Sequence, residues 1–200
     1  MPPRSRRNPL ALAVLACLYE RPMHPYECAR TLRSRAKHES IRLNYGSLYK
    51  VVESLEKQGF IRARETLREG NRPERTVYEI TAAGALEFVD WLSDLVAAPA
   101  KEYLQFEAAL SLLPGLPPDD AVTLLGERCV ALEHRIAALR AQLTGAEATG
   151  VERLFRIEHE YELALLEAEL EWVRRLVKDL ETGALEGLDR WRGFHPTEQT

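Results

Sequence analysis

The chain has 200 residues, of which 46% are hydrophobic and 29% charged, a balance typical of a globular protein with a sizeable core. No apolar run approaches the ~20 residues that a membrane-spanning helix needs, so we expect no membrane partner. The three cysteines (Cys17, Cys28 and Cys129) are odd in number and scattered, which favours reduced thiols in a cytoplasmic protein over a disulfide framework.

The net charge of −4 is distributed unevenly along the chain. Residues 1–80 contain 16 Lys and Arg against 9 Asp and Glu, a surplus of 7 positive charges. Residues 81–200 contain 11 against 22, a surplus of 11 negative charges. A polyanion attracts the first half and repels the second, so we expect only the first half to bind nucleic acid.

Residues 9–59 have the apolar spacing of three helices. The first is expected at Pro9–Glu20, before Pro22, and the second from Pro25 to about Ala36. Asn44 is the expected N-cap of the third helix, and Gly59 is suited to the left-handed conformation that ends a helix. The apolar residues that should bury one face of this third helix are Leu48, Val51, Val52 and Leu55.

Two short segments after Gly59 are rich in β-branched and aromatic residues and predict a pair of strands, Phe60–Leu67 and Thr76–Ile80. Thr81 then caps a fourth helix that runs to about Ala97. A helix followed by a basic hairpin is the arrangement of a winged helix-turn-helix with a two-stranded β wing.

The remainder of the chain predicts a mainly α protein. Helices are expected at Lys101–Leu113, Asp119–Leu143 and Val151–Leu180. The residues after Gly183 are expected to form a loosely held tail, with docking of Trp191 and Phe194 as the alternative. We therefore expect three segments: a DNA-binding domain at 1–97, a helical dimerisation domain at 98–183, and a C-terminal tail at 184–200.

The expected DNA contacts lie on the third helix and in the hairpin. Cations supply affinity for phosphates, and polar side chains near the start of a recognition helix reach base edges. Tyr49 has two interpretations, a base reader or a core residue. Arginines at positions 4, 6 and 7 are a further candidate electrostatic arm. The predicted DNA-binding residues are Asn44, Tyr45, Ser47, Tyr49, Lys50, Arg68, Asn71, Arg72 and Arg75.

The last long helix carries two adjacent apolar stripes at helical spacing, and we expect one to face the same chain and the other a second copy. An intramolecular core for both is the alternative. The first stripe comprises Leu166, Leu170, Val173, Val177 and Leu180. The second comprises Tyr161, Leu165, Trp172 and Leu176.

Several segments resemble the PadR family of transcriptional regulators. They are Pro-Met-His-Pro-Tyr-Glu at 22–27, Gly-Ser-Leu-Tyr at 46–49, Ser-Leu-Glu-Lys-Gln-Gly-Phe-Ile at 54–61 and Tyr-Glu-Ile-Thr-Ala-Ala-Gly at 78–84, covering roughly residues 9–95 in order. Glu-Tyr-Leu-Gln-Phe at 102–106 resembles the helical domain of the longer members. Pro25 departs from the family, which more often has glycine there.

This resemblance implies a homodimer that binds a pseudo-palindromic double-stranded DNA operator and represses a nearby gene. It also implies a possible small aromatic effector, such as a phenolic acid or a drug. A flat apolar effector suits aromatic walls, and the candidates are Phe88, Trp91, Tyr103 and Phe106, with plain interdomain core as the alternative.

Other functions are weakly supported by the residues. His24 and Cys28 are four residues apart, a metal-ligand spacing, but no third ligand lies near them, so a metal- or redox-responsive regulator is the minor alternative. A protein-binding adaptor on the same scaffold would not need a basic wing. The sequence contains no phosphate-binding loop or nucleophile elbow, and we expect neither an enzyme nor a cofactor.

Overall fold

The structure is a computed structural model that describes residues 8–38, 40–67 and 75–195, apart from the side chains at 66, 67 and 75. The chain divides into two compact units, Met1–Lys101 and Glu102–Thr200. Within the described residues the protein is mainly helical with one two-stranded antiparallel sheet, which confirms the predicted fold class. No helix in those ranges combines the length and the apolarity needed to cross a bilayer.

The elements of the N-terminal unit follow the expected order. They are α1 (Pro9–Glu20), α2 (Pro25–Ser34), α3 (Tyr45–Lys57), β1 (Ile61–Leu67), β2 (Arg75–Ile80) and α4 (Ala82–Ala97). The C-terminal unit contains α5 (Gln105–Ser111), α6 (Pro118–Ala148), α7 (Ile157–Thr182) and the short α8 (Leu188–Arg192). Two 3₁₀ turns, Leu113–Gly115 and Arg153–Phe155, precede α6 and α7.

The first helix lies at the centre of the N-terminal unit because it is apolar on most of its circumference. Val14 and Leu15 are fully buried, and α1 contacts α2, α3, α4 and β2. Apolar residues of the other elements close around it, as their helical spacing requires. The buried members include Cys28, Ala29, Leu32, Leu48, Val51, Val52, Leu55, Ile61 and Trp91.

The junction of α3, β1 and α4 is held by one threonine and one glycine. The hydroxyl of Thr81 donates to the backbone oxygen of Gly59 at 2.7 Å and accepts from the backbone N–H of Gly84 at 3.0 Å. Gly84 packs so closely on the Phe60 carbonyl that a Cβ atom there would lie 2.0 Å from its oxygen. This contact fixes α4 against the base of the wing.

The C-terminal unit is built on the antiparallel pair α6 and α7. Leu132, Ile136 and Leu139 of α6 pack against α7 residues of the first apolar stripe. Ion pairs cross between the two helices, among them Arg135–Glu162 at 2.5 Å, Arg140–Glu167 at 2.6 Å and Arg174–Glu133 at 2.5 Å. Each is partly solvated and contributes at most about 1 kcal/mol, so the buried apolar residues provide most of the stability.

Several predicted boundaries differ from the structure. The helix expected at Val151–Leu180 begins at Ile157, because α6 continues to Ala148 and Gly150 then reverses the chain with φ 78°. In the segment after Gly183, Trp191 docks, as the alternative to a loose tail allowed. This segment forms α8, whose Leu188 and Trp191 are buried, and the indole N–H of Trp191 donates to the Leu116 oxygen at 2.8 Å.

Candidate nucleic-acid interface

The third helix begins at an asparagine cap. The Oδ1 atom of Asn44 accepts a hydrogen bond from the backbone N–H of Ser47 at 2.7 Å, and the backbone at Asn44 is extended. The sequence placed Asn44 among the DNA contacts. The structure commits its side-chain oxygen to the helix, so Asn44 positions the first turn of α3, while a contact of this residue with DNA stays a prediction.

Replacing Asn44 with alanine is expected to lower the free energy of unfolding by about 1 kcal/mol, because the Ser47 N–H loses its partner. Urea denaturation measures this directly. Asn44→Asp is the matched control, since aspartate caps a helix as well as asparagine does and should keep the stability. An alanine variant as stable as the wild type would contradict the capping role.

The side chains that follow the cap divide into a buried and an exposed face. Leu48 and Leu55 are fully buried, as the helical spacing predicted. Tyr45 and Tyr49 are 39% and 49% exposed, Lys50 is exposed, and Ser47 is half-buried. Tyr49 is therefore a surface residue and not part of the core. The first two turns of α3 present aromatic and cationic groups to solvent.

Tyr45 is held by two residues of α2. Its ring stacks on that of Tyr26, with centroids 6.0 Å apart and planes 10° from parallel. Its hydroxyl accepts a hydrogen bond from Nη1 of Arg33 at 2.5 Å, and the guanidinium carbon lies 4.6 Å from its ring centroid. No sequence pattern reveals Tyr26 and Arg33, because contacts across 19 and 12 residues leave no periodic signal.

The hairpin has the predicted two strands. Its register runs from Ile61 opposite Ile80 to Leu67 opposite Arg75, with a bulge between Ala63 and Glu65. The predicted wing contacts Arg68, Asn71 and Arg72 lie outside the described residues, as do the arginines at 4, 6 and 7. Arg75 begins β2, but its side chain is also outside the described set.

Two further arginines lie on the described part of the hairpin. Arg62 is 2.7 Å from the Glu79 carboxylate and Arg64 is 3.9 Å from it, and both arginines are exposed. One carboxylate thus faces two guanidinium groups. The alternating Arg-Ala-Arg pattern of this strand is the sequence signal by which these two arginines could have been found.

An open groove of about 270 Å³ separates α1 from α3. Ser47 and Lys50 line it on the α3 side, and Asn8 lines it at the start of α1. Asn8 also caps α1, since its Oδ1 accepts from the Leu10 backbone N–H at 3.1 Å. Asn8 therefore lies beside the exposed turns of α3.

The four aromatic residues proposed for an effector pocket have different environments. Trp91 is 2% exposed and belongs to the core of the N-terminal unit. Phe88 packs on Tyr19, with ring centroids 5.2 Å apart. In the C-terminal unit, Phe106 contacts Trp172 edge-on at 6.4 Å, while Tyr103 is exposed.

The two stripes of α7 are also separated by the structure. Leu166, Leu170, Val173 and Leu180 are buried against α6, and Val177 packs beside them, so the first stripe is the one that faces the same chain. Tyr161, Leu165 and Trp172 remain exposed, and Leu176 is half-buried. Only the second stripe is left for a partner.

His24 and Cys28 do not form a metal site with neighbouring residues. The Nδ1 atom of His24 accepts from the Tyr26 backbone N–H at 3.1 Å, so this nitrogen caps α2. Cys28 is buried beside Cys17, and the hydrogen bond between the two thiols, with burial, raises the pKa of Cys28. Among the described residues, no group of three or more His, Cys, Asp or Glu could hold a metal.

The order of the helices α1–α4 and the β1–β2 hairpin, with the exposed first turns of α3, defines a winged helix-turn-helix protein of the DNA-binding class. Residues 14–90 match the Transcriptional regulator PadR-like family, as the sequence motifs indicated. This DNA-binding part of the chain is therefore similar to the PadR-like family, whose members are transcriptional regulators and not enzymes. No curated protein sequence matches it significantly.

Solved structures share the fold over most of the chain. Bacillus subtilis PadR in complex with operator DNA superposes with a TM-score of 0.68 at 17% identity, covering 86% of this chain and 98% of that one. The same protein in complex with p-coumaric acid gives 0.69 at 15% identity, with coverage of 86% and 98%. The Vibrio cholerae virulence activator AphA gives 0.64 at 17% identity, again covering 86% and 98%.

Proposed function

We propose that this protein is a PadR-like regulator and a homodimeric repressor that binds a pseudo-palindromic DNA operator. The exposed first turns of α3 carry the proposal, because they offer Tyr45, Ser47, Tyr49 and Lys50 from a rigid, capped helix. The hairpin arginines lie in the same unit, whose half of the chain has the positive surplus. Arg68, Asn71, Arg72 and Arg75 are proposed as wing contacts.

DNA binding is tested by fluorescence anisotropy with the fragment upstream of the protein's own gene and an unrelated fragment of equal length. Counterion release predicts a steep fall in affinity as salt rises, with a slope of about 0.9 per phosphate contact. A specific regulator should prefer the upstream fragment by about 10³-fold or more. Absence of binding to either fragment at low salt would refute the proposal.

We assign a separate role to each domain: residues 1–97 bind DNA, and residues 98–183 form the dimer. The second stripe of α7 is the proposed contact between copies. Leu165 is 53% exposed and Tyr161 and Trp172 are exposed beside it, so three large apolar side chains lie on one side of a helix. Contiguous apolar patches of this kind usually mark an interface.

Leu165→Glu is expected to convert the dimer to a monomer, because a carboxylate would be buried without a partner at the proposed interface. Sedimentation velocity gives the mass. Lys178→Glu is the matched control, since Lys178 is exposed on the same helix but lies away from the stripe and should leave the dimer intact. A wild-type monomer, or a dimeric Leu165→Glu variant, would remove this stripe from consideration.

The proposed effector is a small planar aromatic compound that relieves operator binding. In the C-terminal unit, Phe106 and Trp172 form an aromatic pair, and the Arg128 guanidinium lies 3.5 Å from the Phe106 ring centroid. Titrating p-coumaric acid into the operator complex tests this idea. Release of DNA together with quenching of tryptophan fluorescence supports it, and unchanged affinity at saturating ligand opposes it.

The sign of regulation requires a transcriptional readout. A reporter driven by the upstream fragment should be expressed less when the protein is present and more when its gene is deleted. The fold does not decide this, because AphA, which shares it, is an activator. Higher reporter expression in the presence of the protein would replace repression with activation while leaving DNA binding untouched.

A further inference from the structure

Arg33 has an unusual position for a surface arginine. It lies in the last turn of α2, and its Nη1 atom donates to the Tyr45 hydroxyl at 2.5 Å. The guanidinium also lies over the Tyr45 ring, and Tyr26 stacks in parallel on that ring. All three side chains are exposed. The arginine is thus held in one place on the surface without being buried.

The charge of Arg33 is not neutralised where the structure describes it. Two nearby arginines are paired with carboxylates, Arg21 with Glu27 at 2.9 Å and Arg35 with Glu20 at 2.5 Å. Within the described ranges no carboxylate forms an ion pair with Arg33, whose partner is a neutral hydroxyl. A guanidinium has five N–H donors, so most remain available to an anion.

The anion that fits this arrangement is a phosphodiester. The planar fork of arginine matches the geometry of phosphate oxygens, and an aromatic ring beneath it reduces the freedom lost on binding. A helix with its side chains is about 10–12 Å across and the major groove is about 12 Å wide, so groups beside the first turn of an inserted helix meet the sugar–phosphate backbone. Arg33 is held beside that turn through Tyr45.

We propose that Arg33, positioned by the stacked pair Tyr26 and Tyr45, is a phosphate-binding site for the DNA strand that borders the groove entered by α3. This inference rests on the proposed DNA-binding function and extends it to α2, which the sequence analysis had left out. A phosphate contact is independent of base sequence, so Arg33 acts equally on operator and unrelated DNA. It fixes the depth and angle at which α3 enters.

The test compares Arg33→Gln with Lys57→Gln in the full-length protein. Both substitutions remove one positive charge. Lys57, however, is paired with Glu53 and lies at the other end of α3, about 18 Å from Tyr45 along the helix axis. Salt titrations are measured by anisotropy on the upstream fragment and on unrelated DNA. Thermal unfolding, which should be unchanged because both side chains are exposed, accompanies each variant.

Arg33→Gln should weaken binding about 10-fold on both fragments and lower the salt slope by about one contact. Lys57→Gln should stay within about two-fold of the wild type with an unchanged slope. Tyr45→Phe keeps the ring and the guanidinium charge but removes the hydroxyl acceptor. It should weaken binding about three-fold at an unchanged slope, because the cation is present but less fixed.

The inference is overturned if Arg33→Gln matches Lys57→Gln, or if it weakens only the upstream fragment and leaves the slope unchanged. The first result reduces Arg33 to general surface charge, and the second makes it a base reader. Failure of the wild-type protein to bind any fragment is a separate outcome, which overturns the proposed function and this site together. The wild-type titration therefore distinguishes the two failures.

Discussion

Lys50→Glu is expected to weaken binding to the upstream fragment at least about 100-fold, the largest loss of DNA affinity expected for any of the substitutions. Lys50 lies in the second turn of α3 and is exposed, and among the described residues no ion pair neutralises it. A contact to a base edge contributes about 1–3 kcal/mol, and the reversed charge would add repulsion from phosphates. Anisotropy at fixed moderate salt measures the loss.

The matched control for this variant is Lys57→Glu, on the same helix and with the same change of charge. Lys57 lies about 10 Å farther along the helix axis and is paired with Glu53 at 2.7 Å. Its reversal should cost less than about 5-fold, because distant surface charges are screened by salt. Equal losses for the two variants would mean that α3 is attracted to DNA by its overall charge and does not enter a groove.

Gly84→Ala is expected to destabilise the N-terminal unit by about 3 kcal/mol, although alanine normally stabilises a helix by up to about 1 kcal/mol relative to glycine. The added Cβ would lie 2.0 Å from the Phe60 oxygen and 2.8 Å from its carbonyl carbon, both backbone atoms that cannot rotate away. The start of α4 must then separate from the base of the hairpin. Urea denaturation measures the change, and DNA affinity should fall with it.

Gly126→Ala is the matched comparison, because this substitution is expected to raise the stability of the protein and not to lower it. Gly126 lies within α6, and a Cβ there would meet nothing within 4 Å. Alanine should therefore stabilise this helix by up to about 1 kcal/mol. A Gly84→Ala variant that gains stability as Gly126→Ala does would show that α4 is not held in contact with Phe60.

Gly59 and Gly84 illustrate why local sequence patterns predict some structural features and not others. Gly59 was expected to end α3 in a left-handed conformation, and it does so with φ 75°. That requirement is local, because it follows from the residue that terminates a helix. The requirement for glycine at position 84 comes from a carbonyl 24 residues away in the chain, and no spacing within α4 reveals it.

The surface proposed to bind DNA likewise combines features that local sequence patterns predict with features that only tertiary packing produces. The cap at Asn44 and the buried positions of α3 were predictable, since both depend on neighbours within one helix. The roles of Tyr26 and Arg33 were not, because they arise from α2 packing beside α3. The basic character of the wing was visible as charge, while the pairing of Arg62 with Glu79 required the strand register.

The sequence alone determined the winged-helix order of elements, the basic and acidic halves, and the two stripes of α7, because helical and strand periodicity is a property of adjacent residues. Only the tertiary structure decided which stripe is core, that α8 packs through Trp191, and that Arg33 is held by Tyr45. These three features depend on which parts of the folded chain come into contact. An apolar or charged side chain is compatible with several such contacts, so its residue type alone does not specify one of them.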